Sequence, residues 1–278
     1  MSVFHENDLI SLYLSDLTLL EKENTNRQLL CLYLHPLLGK VLVLNGEIQH
    51  IENYQALYHE PLVHLPMCFI SNPKTALILG GGSLFAAYET LKYPSIQSVT
   101  LCDYDPEVLR IMRKHYEHAR KVCNDKRFNY VCEDGINYIK KCNQKFDIII
   151  NDCFNLLKES KSFPVYDCLF DLLSSHGVCS DIIYRHIFEE KYASKTIEKI
   201  KLHGKVVLSL VTVPEYPGIL HIQTIFGKNR NLSQEISITR NLFQKNNTDN
   251  ENSVFQLFSP RFLKYYFYVP PYIKDFIS

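Results

Sequence analysis

The sequence predicts an α/β fold, a parallel sheet with helices on both faces preceded by a smaller β-rich segment, and three observations carry that reading. From Thr75 onward, short continuous apolar runs alternate with helix-length amphipathic segments, the pattern of strands buried on both faces. Before Thr75 the apolar runs partly alternate and are broken by turn residues, as antiparallel strands are. The 278 residues leave room for one large or two modest domains, at roughly 100–200 residues each, and the change of pattern divides them into 1–70 and 71–278.

In the first segment, residues 28–36 and 40–44 read as strands, and 47–52 as the return strand of a hairpin. Asn45-Gly46 is its turn, because both turn positions need φ > 0 and these two residues tolerate it. Leu57, Leu62 and Leu65 suggest a helix, in which Pro61 sits comfortably only near the first turn, so a helix start and a kink both stay open. The strands of the second segment are 75–79, 98–103, 128–132, 146–150, 178–184, 206–211 and 221–226. Helices are expected at about 84–92, 106–120, 135–142, 166–175 and 188–203, and right-handed crossovers place them on both faces. Residues 245–253 are polar, Asn-rich and aperiodic and read as a surface loop, while 264–268 read as a C-terminal strand or an interface.

Composition excludes several function classes. Thirty Lys plus Arg balance thirty Asp plus Glu, with 46% hydrophobic residues, which argues against disorder and against nucleic acid as a partner held by its phosphates. Nine cysteines with no C-x-x-C pair suit a reduced compartment. No apolar run approaches the ~20 residues a bilayer requires and the start lacks a basic, then apolar, leader, so a cytoplasmic protein with no membrane partner is expected. His115 and His118 share a face of the expected 106–120 helix, but no nearby Cys or carboxylate completes a set, so no metal is expected. Cys153 reads as a small packing residue.

The chemistry-bearing residues gather where strands end. The strand 75–79 runs into Gly80-Gly81-Gly82 and then a helix pattern, which lets backbone approach a ligand closely. The next strand ends in Asp103, about 20 residues on, where a carboxylate can accept from both ribose hydroxyls of a nucleoside. The third leads into Glu133-Asp134-Gly135, and the fourth into Asn151-Asp152. Each acid alone is as readily a helix cap, as Asp105 before Pro106 is expected to be. In series, at the edge where open α/β sheets bind ligands, they point to a nucleoside. No Lys-Ser/Thr follows the glycines, so this is not a P-loop.

These residues resemble the spermidine synthase family over roughly 28–230. The resemblance is carried by GKVLVLNGEIQ (39–49), YHEPLVHLP (58–66), NPKTALILGGG (72–82), VTLCDYDPEV (99–108), EDG (133–135) and FDIIINDCFN (146–155). It implies a Rossmann-like, class I methyltransferase-type sheet behind a small N-terminal β domain, and an aminopropyltransferase of polyamine biosynthesis. Its co-substrate would be S-adenosylmethionine or the decarboxylated form, with no metal, and the chain would be a homodimer. By that resemblance Gln49 and His59 contact the donor beside the Gly80-Gly81-Gly82-Ser83 turn. Asp103 then holds the ribose, Asp134 and Gly135 the adenine, and Asp152 lies near the methionine-derived arm. Tyr58 and Tyr216 to Gly218 belong to the acceptor side.

Two departures bear on the chemistry. The family reads Gly-Gly-Gly-Asp-Gly-Gly where this chain has Gly80-Gly81-Gly82-Ser83-Leu84-Phe85, and Ser83 cannot pair with the donor's ammonium. The family reads Asp-x-x-Asp-Pro where this chain has Asp152-Cys153-Phe154-Asn155-Leu156, and the amide of Asn155 cannot take a proton. Loss of a general base costs ~10²–10⁴-fold with an amine acceptor, whereas an anionic oxygen needs no deprotonation. Both changes fit intact S-adenosylmethionine, or an anionic acceptor. One family branch modifies the phosphate of microcin C, a peptide-nucleotide antibiotic. Resemblance to it implies 3-amino-3-carboxypropyl transfer to a peptide-nucleotide, with a partner decarboxylase acting afterwards. Alternatives are an ordinary polyamine synthase in which Glu60 or Asp181 replaces the lost base, a methyltransferase, and a nucleoside-binding pseudoenzyme.

Overall fold

The computed structural model describes residues 2–5, 11–153, 164–186, 190–228, 232, 255–271 and 273. Asn155 and the expected 245–253 loop lie outside these residues. Strands β1 (Ser2–His5) and β2 (Ser11–Leu14) form an antiparallel pair. A four-stranded antiparallel sheet follows, in the order β3 (Thr18–Asn24), β4 (Leu29–His35), β5 (Gly39–Leu44) and β6 (Glu47–Ile51). Asn45 and Gly46 take the expected positive φ between β5 and β6. Phe4 of β1 closes a small core with Cys31, Val41, Val43, Ile48 and Ile51.

Helix α1 (Ala56–Met67) then leads into the seven-stranded sheet, built from β7 (Thr75–Gly80), β8 (Ser98–Asp103), β9 (Phe128–Cys132), β10 (Phe146–Asp152), β11 (Leu173–His186), β12 (Val206–Val211) and β13 (Ile219–Gly227). Between the strands run α2 (Phe85–Leu91), α3 (Pro106–His115), α4 (Glu117–Asn124), α5 (Gly135–Lys141), α6 (Val165–Leu172) and α7 (Glu190–Lys201). The strand order is β12-β13-β11-β10-β7-β8-β9. The chain winds outward from β7 through β8 to β9, then returns to the other side of β7 with β10. The switch point between β7 and β10 is where such sheets bind ligands. The fold is therefore the Rossmann-like sheet with an N-terminal antiparallel β region that the sequence led us to expect.

Several elements differ from expectation. The sheet is parallel only from β9 to β11; β13 is antiparallel to both β11 and β12. The 106–120 helix is two helices, because Tyr116 takes extended angles (φ −122, ψ 136) and drops its buried ring beside His50. His115 and His118 consequently fall on different helices. Residues 264–268 are no strand: a 3₁₀ turn (Pro260–Phe262) runs into the short helix α8 (Leu263–Tyr266). The helix expected over 166–175 ends at Leu172, where β11 begins.

Helix α1 is buried on nearly every side, so its polar groups need partners within the protein. Pro61 lies inside the helix, past the first turn where it was expected to sit comfortably, and so does Pro66. Pro66 has no N–H for the carbonyl of Leu62. That oxygen instead accepts from Ser180 Oγ of β11 at 3.0 Å and Gln223 Nε2 of β13 at 3.3 Å, which pins the helix over the sheet. Glu60, 1% exposed, accepts backbone N–H groups from Gln256 (2.5 Å), Leu257 (2.8 Å) and Phe258 (2.7 Å). His64 meets Glu89 and Tyr93, each at 2.9 Å. Removing the Glu60 carboxylate takes the acceptor from three N–H groups, that of the buried Phe258 among them, and hydrogen bonds to a carboxylate contribute ~1.5–3 kcal/mol each. Glu60→Ala is expected to lose about 3 kcal/mol or more in urea unfolding and Glu60→Gln less; equal, small losses for both would show that the clamp is not stabilising.

Candidate active site

Asp152 ends β10 opposite Gly80 at the end of β7, so the parallel register sets a carboxylate against the triglycine turn. Gly80 and Gly81 have φ of +74° and +75°, which side chains rarely adopt. A Cβ on Gly80 would lie 2.8 Å from Asp152 O, and one on Gly81 3.0 Å from Asp152 Oδ2. On Gly82 it would come within 3.0 Å of Asp103 Oδ2, which already accepts the Gly82 N–H at 3.0 Å. Asp103 Oδ1 accepts from Asp105 N at 2.9 Å, and burial raises its carboxyl above the usual range. Gly80 is thus required by the backbone of Asp152, and Gly81 and Gly82 by the carboxylates of Asp152 and Asp103, and together these five residues gather at the switch point.

Helix α1 delivers Tyr58, whose hydroxyl donates to Asp152 Oδ1 at 2.6 Å. Burial pushes the Asp152 carboxyl up to about 7, with the nearby Asp103 charge adding to the rise and the Tyr58 bond opposing it. Burial likewise lifts the Tyr58 phenol well above its ordinary value, so it stays a donor. His59 donates Nδ1–H to Gln55 O at 2.9 Å, and burial brings its imidazole down to about 4, so the ring is neutral with Nε2 as an acceptor. Phe85 stands 5.0 Å from the rings of both His59 and His50 and stacks on His118 at 3.8 Å. His118 Nε2 in turn donates to Ser83 O at 2.9 Å, holding the turn after the glycines.

The other expected site residues fare differently. Asp134 caps α5, accepting from Asn137 N at 2.9 Å, with Gly135 the first residue of that helix. Gln49 lies on the edge strand β6 and donates to Glu47 O at 3.5 Å; its neighbour His50 is the β6 residue that reaches Phe85 and Tyr116. Asp105 caps α3 as expected, through Glu107 N at 3.1 Å. It also accepts from Thr25 and Gln28, at 3.0 and 2.8 Å, so the β3–β4 turn docks beside the Asp103 end of β8, which sequence spacing did not reveal. Neither proposed replacement base is placed for the task. Glu60 is committed to residues 256–258, and Asp181 accepts from Asn151 and Tyr166, each at 2.7 Å, with burial raising it to about 6. His115 bonds Glu21 at 2.5 Å and is not on a shared solvated face with His118, which is largely buried. Among the described residues no set of three or more His, Cys, Asp or Glu side chains is placed to hold a metal, and no helix is long and apolar enough to cross a membrane.

Comparison with known proteins places this geometry. The family model for the spermine/spermidine synthase domain matches residues 55–237. A polyamine aminopropyltransferase from Pectobacterium carotovorum is 32% identical over 178 residues, 60% of this chain and 62% of that protein's length. One from a Thermoanaerobacter species is 29% identical over 85% of this chain and 83% of its own. Putrescine N-methyltransferase 2 of Nicotiana attenuata is 34% identical over 64% of this chain and 50% of its own. The matched stretch is therefore under two thirds of the Pectobacterium and Nicotiana proteins. The crystal structure of spermidine synthase from Thermotoga maritima superposes with a TM-score of 0.85 at 23% identity, covering 99% of this chain and 94% of that one.

The Asp152 carboxyl has a consequence for stability. Its folded value near 7 lies above the ordinary aspartate value of 3.8, so between those limits the native state binds the extra proton. Stability from this group is present below about pH 4 and is lost as pH rises towards 7, by about 4 kcal/mol for ~3 pK units. Asp152→Asn cannot titrate. Its stability relative to the native chain is expected to improve by about 3–4 kcal/mol between pH 4 and pH 8 in urea unfolding, and a gap that stays flat over that range excludes the raised carboxyl.

Proposed function

Because the chain belongs to the spermine/spermidine synthase family, we propose that it is an aminopropyl-type transferase that alkylates an amine from a sulfonium nucleoside and releases methylthioadenosine. The observation that carries this reading is the Tyr58–Asp152 pair, 2.6 Å apart, against the triglycine turn. The turn suits a nucleoside, since three successive glycines leave its backbone bare for close approach and Asp103 stands beside it as a hydroxyl acceptor.

The step needs a neutral amine. An acceptor arriving as an ammonium gives a proton to Asp152, whose value near 7 poises it between carboxylate and acid at working pH. Tyr58 occupies Oδ1, so Oδ2, which faces Gly81, is the basic oxygen. The nitrogen lone pair then attacks the propyl carbon bonded to sulfur. The carbon–sulfur bond breaks, its electron pair stays on sulfur, and a neutral thioether leaves. Tyr58 and the neutral His59 orient the reactants and help exclude water.

The case for an anionic acceptor, such as a peptide-nucleotide phosphate, drew on the absence of a base at Asn155. Asp152 supplies one, which supports an amine. Ser83 still leaves the far end of the donor arm without the family's carboxylate, and that supports tolerance of intact S-adenosylmethionine. Methyl transfer from intact S-adenosylmethionine is the second reading, favoured by the similarity to putrescine N-methyltransferases. Calorimetry with methylthioadenosine, S-adenosylmethionine and the decarboxylated form, followed by product masses with putrescine, tests all three. Methylthioadenosine is expected to bind, and S-adenosylmethionine to bind within about tenfold of the decarboxylated form, a penalty of no more than ~1.4 kcal/mol. A propylated product supports the proposal and a methylated one selects the second reading. Absence of binding by all three overturns both.

A further inference from the structure

We infer that Glu215 is a positioning residue for the acceptor side of the site, latching the loop that carries Tyr216 onto the edge of the N-terminal sheet. The inference rests on the transferase reading above and adds a residue to it. Strand β6 is the edge of the order β3-β4-β5-β6, so an N–H pointing off it has no neighbouring strand to accept it. Ile51 ends that strand and is 4% exposed, which denies its N–H water as well. Glu215 Oε1 accepts it at 2.8 Å, across 164 residues of sequence.

The carboxylate is 3% exposed, and burial raises its pKa. Burying a carboxylate that accepts from the Ile51 N–H and from its own backbone is costly. What Glu adds is reach, from the loop that joins β12 to β13 across to β6. Within that loop, Tyr216 N donates to Val213 O at 3.1 Å and Ile219 N to Tyr216 O at 3.2 Å. These local bonds set the shape of the loop but not where it sits. Placement matters because Tyr216 follows Glu215 directly, and the strand that Glu215 grips also carries His50, whose ring stands 5.0 Å from Phe85, as does that of His59 beside Tyr58. A shift of the loop therefore changes the surroundings of the Tyr58–Asp152 pair from the acceptor side, while Asp103 and the glycines, on β7 and β8, are untouched.

The test uses the full chain with decarboxylated S-adenosylmethionine at saturation and putrescine as the titrated acceptor. Glu215→Ala is expected to raise the putrescine KM by about tenfold, or to lower kcat/KM by up to ~10² as misplacement does, with methylthioadenosine affinity within twofold of native. Glu215→Gln keeps the accepting oxygen and is expected to stay within threefold of native. Hydrogen exchange of the 213–219 backbone should speed up in Glu215→Ala and not in Glu215→Gln. An unchanged kcat/KM for putrescine in Glu215→Ala overturns the inference, as does an equal loss of methylthioadenosine affinity or unaltered exchange. If the native chain binds methylthioadenosine but does not turn over putrescine, the amine reading fails by itself and the exchange experiment still decides the latch.

Discussion

The hydrogen bond between Tyr58 and Asp152, at 2.6 Å, is the constraint on which the rest of the site depends. It joins a helix to a strand end that share no backbone hydrogen bond, and it fixes which oxygen of the carboxylate faces the ligand cradle. Burying a carboxylate against backbone and a second acid is unfavourable, and burial accordingly pushes Asp152 up to about 7. The glycines follow from the same crowding: a Cβ on Gly80 would strike the Asp152 backbone, and one on Gly81 or Gly82 would press on the carboxylate of Asp152 or Asp103.

For Tyr58 to reach Asp152, α1 has to be held flat over the sheet, and two prolines within the helix help to do it. A helix buried all round satisfies its own backbone and offers its surroundings nothing to grip. Pro66 frees the carbonyl of Leu62, and Ser180 and Gln223 take it from below. From the outside, Glu60 gathers three N–H groups of the 256–258 segment, while Phe255 and Phe258 pack on His64 at ring distances of 4.7 and 5.3 Å. The helix that carries Tyr58 is therefore clamped between the sheet and a distant stretch of chain.

Much of this was legible in the sequence because it depends on local pattern. The triglycine after an apolar run, the acids at successive strand ends, the Asn45-Gly46 turn and the Asp105-Pro106 helix start each follow from backbone or capping chemistry within a few residues. What was not legible depends on partners far along the chain. An apolar run such as 221–226 does not say whether it pairs parallel or antiparallel, and β13 proved antiparallel between β11 and β12. Glu60 and Asp181 were chemically plausible bases, yet their occupation by 256–258, Asn151 and Tyr166 is a fact of tertiary contact. Amphipathic spacing continues through Tyr116, so the break between α3 and α4 was hidden; a buried bond to His50 overrides it. His50 and Gln28, which join the site from the N-terminal sheet and its turn, carried no signal of their own beyond their types.

The turn after the glycines shows how the chain accommodates losing the family's Asp-Gly-Gly. Leu84 takes φ +65° at the start of α2, where the family pattern has glycine, and such a backbone costs a side-chain-bearing residue roughly 1–2 kcal/mol. Its side chain is fully buried in the main core, and burial of a leucine contributes roughly 1.5–3 kcal/mol, enough to offset the strain. Phe85 fills the space beyond it, among His50, His59 and His118. Burial disfavours the charged form of all three imidazoles, so the pocket wall behind His59 is aromatic and uncharged. An Asp restored at position 83 alone would therefore stand beside Leu84 and Phe85 in place of two glycines, with the turn already tied down through the backbone of Ser83. The turn is built around packing where the family pattern has charge, and in the transferase reading proposed above the chemistry then rests on Asp152, Tyr58 and His59.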